Sequence, residues 1–462
     1  MIFKNILLAY QLENYKNIRF LKFIYSHPKF SLIGSKRQVL DLTLKAKFIL
    51  IFAILLFIWE LIWIAYLWTF SWVYYIFFPF CFFLLPLSFI VANICLYPID
   101  TYLKNRIISQ AKKKIASFPH LKVIAITWSY GKTTTKEILK TTLSPSFNVL
   151  ATEGTKNTPL GISRLILDEL NTSHEIFIVE MWAYTKWNIK ELCNIVHPNI
   201  SIITGITLQH LERFKSLDNI IDTKFEILEC LWKNDFAVVD MSTEWVQKWL
   251  KEKLLQVKNI IQIDTDIPYT YKENLLWICF QIAGKTIETK LLWAYVRNTF
   301  SICYEVWKYL GQDISDFEKW VSQVEFVEHR MQLIYNPQSD VFVLDDSFNW
   351  NLEWIWAIFD LMRHAPFYGR KILVAGWIVE LGWETEIIHK KLWKNISELA
   401  DLVLLVEWPV WNALELWLHE HSYPQEKIQK YPSALMLHED IKNIIKKGDL
   451  IIFQNDLPDH YL

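Results

Sequence analysis

The chain has 462 residues, with 48 lysines and arginines against 49 aspartates and glutamates and a net charge of −1. This length suggests two or three domains, and the balanced charge gives no field that would favour nucleic acid as a partner. The six cysteines are scattered without metal-type spacing, so they are interpreted as the reduced thiols of a cytosolic protein.

The N-terminal part is divided by charge. Residues 1–46 form a basic segment, and 47–97 are almost wholly apolar, with Glu60 the only acidic residue. Because about 20 residues span a bilayer, this stretch predicts a hairpin of two transmembrane helices. The helices are expected at about 48–67 and 73–96, and a basic linker helix at 98–120. The positive-inside rule places both ends, and all that follows, in the cytoplasm, with membrane lipid as a partner. The alternative is a buried helical hairpin of a soluble protein.

From residue 121 onward, strand-like and helical patterns alternate. Such alternation predicts an α/β fold with parallel sheets covered on both faces. We expect one domain at 121–328 and a Rossmann-like one at 329–462, with their junction near 312–330. The first is predicted to have strands at 122–127, 175–180 and 199–203, and helices at 132–143, 158–170, 186–196 and 217–231. The second is predicted to have strands at 341–345, 371–375, 401–406 and 449–453.

A phosphate-binding loop is predicted between the first strand and the first helix of this region. Gly131-Lys132-Thr133 stands in the strand–loop–helix context in which backbone N–H groups hold phosphates. Lys132 would lie along the β- and γ-phosphates, and the Thr133 hydroxyl would bind Mg²⁺. The predicted ATP-binding loop comprises Thr127, Trp128, Ser129, Tyr130, Gly131, Lys132, Thr133 and Thr134.

Tryptophan stands where glycine is expected, as at Trp128 within this loop. The chain has 23 tryptophans and only 11 glycines, whereas average usage would give roughly 32 glycines. We hypothesise that many of these tryptophans are glycines in the organism, encoded by UGA codons read as glycine. UGG codons at 128, 182, 293 and 350 would refute this idea. The positions concerned are 128, 182, 187, 293, 350, 377, 383, 393, 408 and 411.

With glycine at 128, the loop resembles that of the Mur ligases, which add amino acids to the peptidoglycan precursor. Within the family, the resemblance is greatest to the ligases that add D-alanyl-D-alanine. It covers about 121–453 and continues in further motifs of this chain. These motifs are Thr152–Gly161, Val179–Ala183, Gln209–Leu211, Thr223–Ile227, Asp345–Asn351 and Val379–Gly382.

The resemblance implies an ATP-dependent, ADP-forming ligase that joins a carboxylate to an amine through an acyl phosphate. The substrates implied are a UDP-muramoyl peptide and an amino acid or dipeptide, and the cofactors are ATP and two Mg²⁺ ions. Lys224 would be carbamoylated. The implied catalytic residues are Lys132, Glu180, His210 and Lys224. Thr133, Glu180 and His210 would bind metal, Asn157 and Thr158 substrate, and Asn298, Arg330, Asp345 and Asn349 ATP.

Two segments depart from the family pattern. The typical D-alanyl-D-alanine-adding ligase begins with a soluble UDP-sugar domain, where this chain has the basic and apolar segments. The last strand runs into 453–459, whereas the family usually carries K-G-S-R. Both departures concern substrate recognition, so the same chemistry on a folate- or polyglutamate-type acceptor remains an alternative. A membrane-bound nucleotide-binding scaffold without catalysis is another, and the sequence does not indicate an oligomeric state.

Overall fold

The structure is a computed structural model, and the chain divides into two compact units, residues 1–109 and 110–457. The residues that it describes are 2–13, 15–26, 40–67, 73–127, 131–154, 156–183, 185–205, 214, 216–232, 235–253, 259–263, 267–272, 277–326, 330–346, 352–365, 367, 369–375, 385–406, 417–432 and 434–454.

The N-terminal unit is helical. Helices α1 (Ile2–Leu12) and α2 (Asn17–Ser26) precede α3 (Leu44–Leu67) and the start of α4 (Val73–Ala116). Leu7, Tyr10 and Phe20 are buried in a core shared with Phe89 of α4. By length and composition, Leu44–Trp63 and Leu85–Ala116 are long and apolar enough to cross a membrane.

The predicted pair of long helices is present, but its second member extends further than predicted. The predicted second transmembrane helix at 73–96 and the predicted linker helix at 98–120 are one continuous helix, α4, which ends at Ala116. No glycine or proline follows Pro98 within it, and good helix formers such as lysine, isoleucine and alanine occupy its last turns. The helices α1 and α2 were not predicted.

The second unit begins with a six-stranded parallel sheet in the order β2-β3-β1-β4-β5-β6. Strands at 122–127, 175–180 and 199–203 are confirmed within one residue, as is the parallel α/β class. The strands are β1 (Lys122–Thr127), β2 (Val149–Ala151), β3 (Ile176–Met181), β4 (Ile200–Ile203), β5 (Phe236–Asp240) and β6 (Ile260–Ile263). The helices are α5 (Lys132–Leu143), α6 (Pro159–Asp168), α7 (Asn188–Val196), α8 (Leu217–Glu229) and α9 (Glu244–Lys253).

A small antiparallel sheet follows, which the sequence pattern did not predict. It comprises β7 (Tyr269–Tyr271), β8 (Ile278–Ile282) and β9 (Lys285–Thr289), and helices α10 (Val296–Tyr309) and α11 (Ile314–Val321) come after it. Helix α11 occupies the start of the predicted junction at 312–330.

The last part of the chain forms a second six-stranded sheet in the order β10-β11-β15-β12-β13-β14, in which only β10 is antiparallel. The four predicted strands are confirmed within one residue as β11, β12, β13 and β15. The strands are β10 (Gln332–Asn336), β11 (Val341–Asp345), β12 (Lys371–Ala375), β13 (Leu402–Val406), β14 (Ile428–Tyr431) and β15 (Leu450–Gln454). The helices are α12 (Leu352–His364), α13 (Thr385–Leu399) and α14 (Ala434–Ile444).

Candidate active site

The phosphate loop connects β1 to α5 at the carboxyl edge of the central sheet. Gly131 has a φ of +79° immediately before α5, a conformation that glycine adopts without strain. Its carbonyl accepts from the backbone N–H of Thr135 at 2.8 Å and from the Thr135 hydroxyl at 2.7 Å. The start of α5 is thereby fixed with its first backbone N–H groups unpaired within the helix, the arrangement that binds anions.

Lys132 is a buried ammonium at this helix start. Its side chain has 4% exposure, and burial lowers its pKa from 10.5 to about 8. The charge of Arg330 lowers this pKa further, whereas the charge of Glu180 raises it. The Lys132 ammonium also lies 4.7 Å from the ring centroid of Trp182. Because a buried ammonium is poorly solvated, an anionic ligand bound beside it would stabilise its charge.

Thr133, in the first turn of α5, contacts Glu180 of β3. The Thr133 hydroxyl donates to Glu180 Oε2 at 3.0 Å, and the Glu180 backbone N–H donates to Thr152 Oγ1 at 3.0 Å. Ile126 of β1 pairs with Glu180 of β3, which places the glutamate one residue before the end of the strand beside the loop. A hydroxyl and a carboxylate side by side are hard oxygen ligands.

Lys224 is a second buried lysine, on α8. Its side chain is 5% exposed, and burial holds its pKa well below the usual range. The positive charge of Lys132 lowers the pKa of Lys224 further, whereas Glu226 and Glu180 raise it. Lys132, Glu180 and Lys224 therefore interact electrostatically.

Asn298, on α10, contacts the end of β5. Its side-chain Nδ2 donates to Asp240 Oδ1 at 3.2 Å, and both side chains are buried. Burial raises the pKa of Asp240 to about 6, although hydrogen bonds from Ser242 and Asn298 and the charge of Arg297 oppose this rise. Sequence reasoning missed Asp240, although an acid at the end of a buried strand, like Glu180, was the available signal.

The guanidinium of Arg330 interacts electrostatically with carboxylates of both large sheets. Burial lowers the pKa of Arg330, and the charges of Glu180 in the central sheet and of Asp346 beyond β11 raise it. Asp345 ends β11. Asp346 is buried, and its Oδ1 accepts from the Met331 backbone N–H at 3.2 Å. Burial raises the pKa of Asp346 well above its usual range.

Among the described residues at the carboxyl edge of the C-terminal sheet, some buried polar atoms have no hydrogen-bond partner. Gln454, at the carboxyl end of β15, is fully buried, and neither its Oε1 nor its Nε2 has a hydrogen-bond partner. Asp346 Oδ2 is in the same situation. Such groups are rare in folded proteins and indicate a missing partner.

The remaining predicted residues occupy different positions. Thr127 and Thr134 are buried beside the loop, and the Thr127 hydroxyl donates to the Met181 carbonyl at 3.4 Å. The Asn157 carbonyl accepts from the Trp182 backbone N–H at 3.3 Å, and Thr158 caps α6 by accepting from Gly161 N–H. The predicted site residues outside the described part of the chain are Trp128, Ser129, Tyr130, His210 and Asn349.

Four of the ten tryptophans interpreted as glycines lie within described residues. Trp187 has a φ of +74° and is 62% exposed, so its backbone adopts the conformation that favours glycine. Trp293 and Trp393 are fully buried with no positive φ, and Trp293 packs edge-on against Trp354 at 5.0 Å. The backbone therefore favours glycine at 187 and gives no such reason at 293 or 393. Trp128, Trp350, Trp377, Trp383, Trp408 and Trp411 lie outside the described residues.

A parallel sheet with a glycine–lysine–threonine loop at its carboxyl edge defines an α/β protein of the P-loop class. The Mur ligase middle domain matches residues 126–279, which contain this loop, Glu180 and Lys224. This part of the chain is therefore a Mur ligase middle domain.

Curated relatives and solved structures extend this similarity. The UDP-N-acetylmuramoyl-tripeptide–D-alanyl-D-alanine ligase of Rickettsia prowazekii is 30% identical over 281 residues, 59% of this chain and 62% of that relative. The ligase of the same name from Bacillus subtilis is 26% identical over 350 residues, 72% of each chain. The MurF ligase of Thermotoga maritima, solved in complex with ADP, has a TM-score of 0.65 at 24% identity, covering 76% of this chain and 80% of that one. This last likeness establishes the fold.

Proposed function

We propose that the chain is an ATP-dependent peptide ligase that joins D-alanyl-D-alanine to a UDP-N-acetylmuramoyl tripeptide. The observation that carries the proposal is the meeting of Lys132, Thr133, Glu180 and Lys224 at one sheet edge, within the part of the chain that matches the Mur ligase middle domain. The two curated relatives described above, whose names state this activity, support the choice of substrates.

The reaction requires activation of a carboxylate, because a carboxylate does not form an amide with an amine directly. An oxygen of the tripeptide carboxylate attacks the γ-phosphorus of ATP, the bond to the β–γ bridging oxygen breaks, and ADP leaves. The dipeptide amine then attacks the acyl carbon, and phosphate leaves from the tetrahedral intermediate as the nitrogen loses its proton. Positioning and charge neutralisation dominate such phosphoryl transfer.

Lys132 supplies positive charge to the transferred phosphate. The Lys132 ammonium lies at the N-terminus of α5, so the backbone N–H groups and the side chain act on the same anion. Since burial lowers the pKa of free Lys132 to about 8, binding a phosphate raises that pKa again and holds the proton on the amine.

Thr133 and Glu180 fit a Mg²⁺ ion. Their oxygen atoms, 3.0 Å apart, give the neutral and anionic oxygen ligands that this ion takes together with substrate phosphates. Bound there, Mg²⁺ would neutralise charge on the β- and γ-phosphate oxygens. We assign a second ion to His210, which lies outside the described residues.

Lys224 fits a carbamate. Burial and the positive charge of Lys132 both destabilise the ammonium form of Lys224, so both effects favour its neutral amine. A neutral amine adds CO₂ and loses a proton to give a carbamate, whose negative charge would complement Lys132. The positive charge of Lys132, which disfavours a lysine cation at position 224, therefore favours the modified, anionic side chain.

The C-terminal sheet completes the site in this proposal. Arg330 already interacts electrostatically with Glu180, so we assign it and Asp345, with Asn349, to ATP. We assign Asn157 and Thr158 to the muramoyl substrate and divide the catalytic part into domains at 121–328 and 329–462.

The apolar helices α3 and α4 are proposed as a membrane anchor. Phe48, Ile51, Leu55 and Trp59 of α3 are exposed, although such side chains are usually buried in a soluble protein. Lipid would cover them, and basic residues on both sides of the hairpin would hold the catalytic part at the cytoplasmic face of the membrane.

A substrate matrix tests this function. The protein for the assay, termed the gene-matched chain, is the full-length chain in detergent, with glycine at each of the ten named tryptophan positions whose codon is UGA. Phosphate release is measured with Mg-ATP, with either a UDP-muramoyl tripeptide or a folate as the acceptor, and with each of D-alanyl-D-alanine, L-alanine and L-glutamate. We expect turnover that depends on both the tripeptide and D-alanyl-D-alanine.

The other outcomes are equally informative. Turnover only with L-glutamate and a folate acceptor would replace the proposed substrates with those of a folate-type ligase. ATP binding without turnover on any acceptor would contradict an enzymatic function and favour a nucleotide-binding scaffold.

A further inference from the structure

Asp240 and Asn298 form a buried polar pair at the end of β5, and the charge of Arg297 acts on Asp240; these three residues are referred to below as the β5 group. Within it, Asn298 Oδ1 and Arg297 Nε are buried atoms without a hydrogen-bond partner. Asn298 is 3% exposed and Asp240 is 4% exposed. Unpaired polar atoms beside a buried pair indicate a ligand that supplies their partners.

The position of the β5 group relative to the phosphate loop suits a nucleotide base. Thr127 of β1 pairs with Ile203 of β4, and Ile203 pairs with Val239 of β5, so Asp240 lies level with the start of the loop. Neighbouring strands are about 4.8 Å apart, which places β5 about 10 Å from β1. A nucleotide with its phosphates at the loop therefore reaches the β5 group with its base.

The chemistry of Asp240 fixes the orientation of the Asn298 amide. A carboxylate only accepts hydrogen bonds, so the amide nitrogen of Asn298 must face Asp240 and the amide oxygen must face away. Burial raises the pKa of Asp240 to about 6, so this group is mainly a carboxylate at neutral pH. The Ser242 backbone N–H donates to the same oxygen at 2.8 Å and holds the carboxylate in place.

An amide held in this orientation distinguishes adenine from guanine. Its oxygen accepts from the 6-amino group of adenine, and the second hydrogen of its nitrogen donates to N7. Guanine carries a carbonyl oxygen at position 6, which would face the Asn298 oxygen and be repelled. The orientation of one side-chain amide thus decides which base is bound.

We infer that Asp240 is a positioning residue that selects adenine by locking the Asn298 amide with its oxygen toward the base. This inference deepens the proposed function and depends on it, because the ligand is the base of the ATP proposed above. Asp240 does not touch the base itself and acts through Asn298.

Nucleotide binding to the gene-matched chain tests the inference without any substitution. Dissociation constants are measured by calorimetry with Mg²⁺ for ATP, GTP, purine riboside triphosphate, which lacks the 6-amino group, and 7-deaza-ATP, which lacks N7. We expect ATP to bind about tenfold or more tightly than the other three, as for a bidentate amide–adenine pair. Equal binding of ATP and GTP would overturn the inference alone, whereas absence of all nucleotide binding would overturn the proposed function as well.

Substitutions then separate positioning from mere support of the fold. Asp240→Asn presents either an oxygen or a nitrogen to Asn298, so the preference for ATP over GTP should fall about tenfold. A purely structural defect would weaken both nucleotides together and leave their ratio unchanged. Asp168→Asn, at an exposed carboxylate on α6, is the matched control and should change neither constant.

A double-mutant cycle tests whether Asp240 acts through Asn298. In an Asn298→Ala background, Asp240→Asn should cause no further loss of the ATP preference, because the amide that it orients is gone. Additive losses would contradict the proposed route. If Asp240→Asn does not fold, Asn298→Ala alone should still abolish the preference, and a retained preference would overturn the inference.

Discussion

The phosphate-loop region of the central sheet and the carboxyl edge of the C-terminal sheet differ in how buried polar groups are paired. Beside the phosphate loop, Lys132 and Glu180 are buried together and their charges offset one another. At the C-terminal sheet, Gln454 and Asp346 Oδ2 are buried without a hydrogen-bond partner. The difference indicates that the phosphate site is preformed for its anion, whereas the C-terminal edge is completed by a ligand.

The largest expected effect comes from breaking the phosphate site of the central sheet. Lys132→Ala removes the buried ammonium from the phosphate site, so kcat should fall on the order of 10³-fold. Phosphate release under saturating substrates measures this effect. Lys140→Ala, at an exposed position on the same helix, is the control and should retain full activity. An active Lys132→Ala protein would contradict the role given to the phosphate loop.

The buried carboxyl group of Asp240, at the carboxyl edge of the central sheet, should make the stability of the protein depend on pH. Asp240 has a pKa of about 6 in the folded chain against an ordinary value of 3.8, so the folded state binds its proton more tightly. Stability is therefore lost as pH rises from about 4 to 6, by up to about 3 kcal/mol at 1.36 kcal/mol per pKa unit. Arg297 is the charged group that opposes this shift.

Asp240→Asn should remove this loss. Measured in detergent on the full-length chain, its free energy of unfolding relative to the parent should increase between pH 4 and pH 7. Asp168→Asn should follow the parent at every pH. A difference between Asp240→Asn and the parent that stays constant with pH would contradict the assignment.

Breaking the C-terminal edge should give the opposite pattern to Lys132→Ala. Gln454→Leu removes a buried amide without hydrogen bonds, so the melting temperature should rise while the KM for D-alanyl-D-alanine increases about tenfold. The KM for ATP should stay within about twofold, since the residues of this part of the chain that we assign to ATP are Arg330, Asp345 and Asn349 and not Gln454. Gln281→Leu, at an exposed position on β8, is the control. Unchanged kinetics would remove Gln454 from substrate recognition.

The smallest effect is expected at Trp187, before α7. Its φ of +74° costs about 1 kcal/mol for a residue with a Cβ, so Trp187→Gly should raise the free energy of unfolding by about that amount. Trp187→Ala keeps the Cβ, and it should therefore give no such gain. Equal stabilities of the two variants would remove the conformational argument for glycine here.

The strands at the site were predictable because each is a short buried apolar run that ends in a chemically distinctive residue. Thr127 and Glu180 are examples. The sheet of β7, β8 and β9 was not predictable from the sequence. Its strands are only three to five residues long and include exposed polar side chains, and apart from Gly284 they have no glycine-rich turn signature. The burial of Lys224 also could not be predicted from the local sequence pattern, because a single lysine in an amphipathic helix is normally solvated.

The C-terminal edge was predicted in outline only. The sequence indicated Asp345 and the departure from K-G-S-R, but the burial of Gln454 depends on how β12 and β15 pair, with Ala375 beside Gln454. Register between strands far apart in sequence is a property of the whole sheet. Asp240 was missed because a lone acid at a strand end resembles a surface residue until the fold buries it.

Isotope transfer tests the central claim, that ATP phosphorylates a substrate carboxylate, most directly. The gene-matched chain is supplied with Mg-ATP, D-alanyl-D-alanine and a UDP-muramoyl tripeptide whose terminal carboxylate carries ¹⁸O, and the released phosphate is analysed by mass spectrometry. An acyl phosphate intermediate predicts one oxygen from the carboxylate in each phosphate released with ADP. Phosphate free of ¹⁸O, or release of AMP and pyrophosphate, would contradict the account.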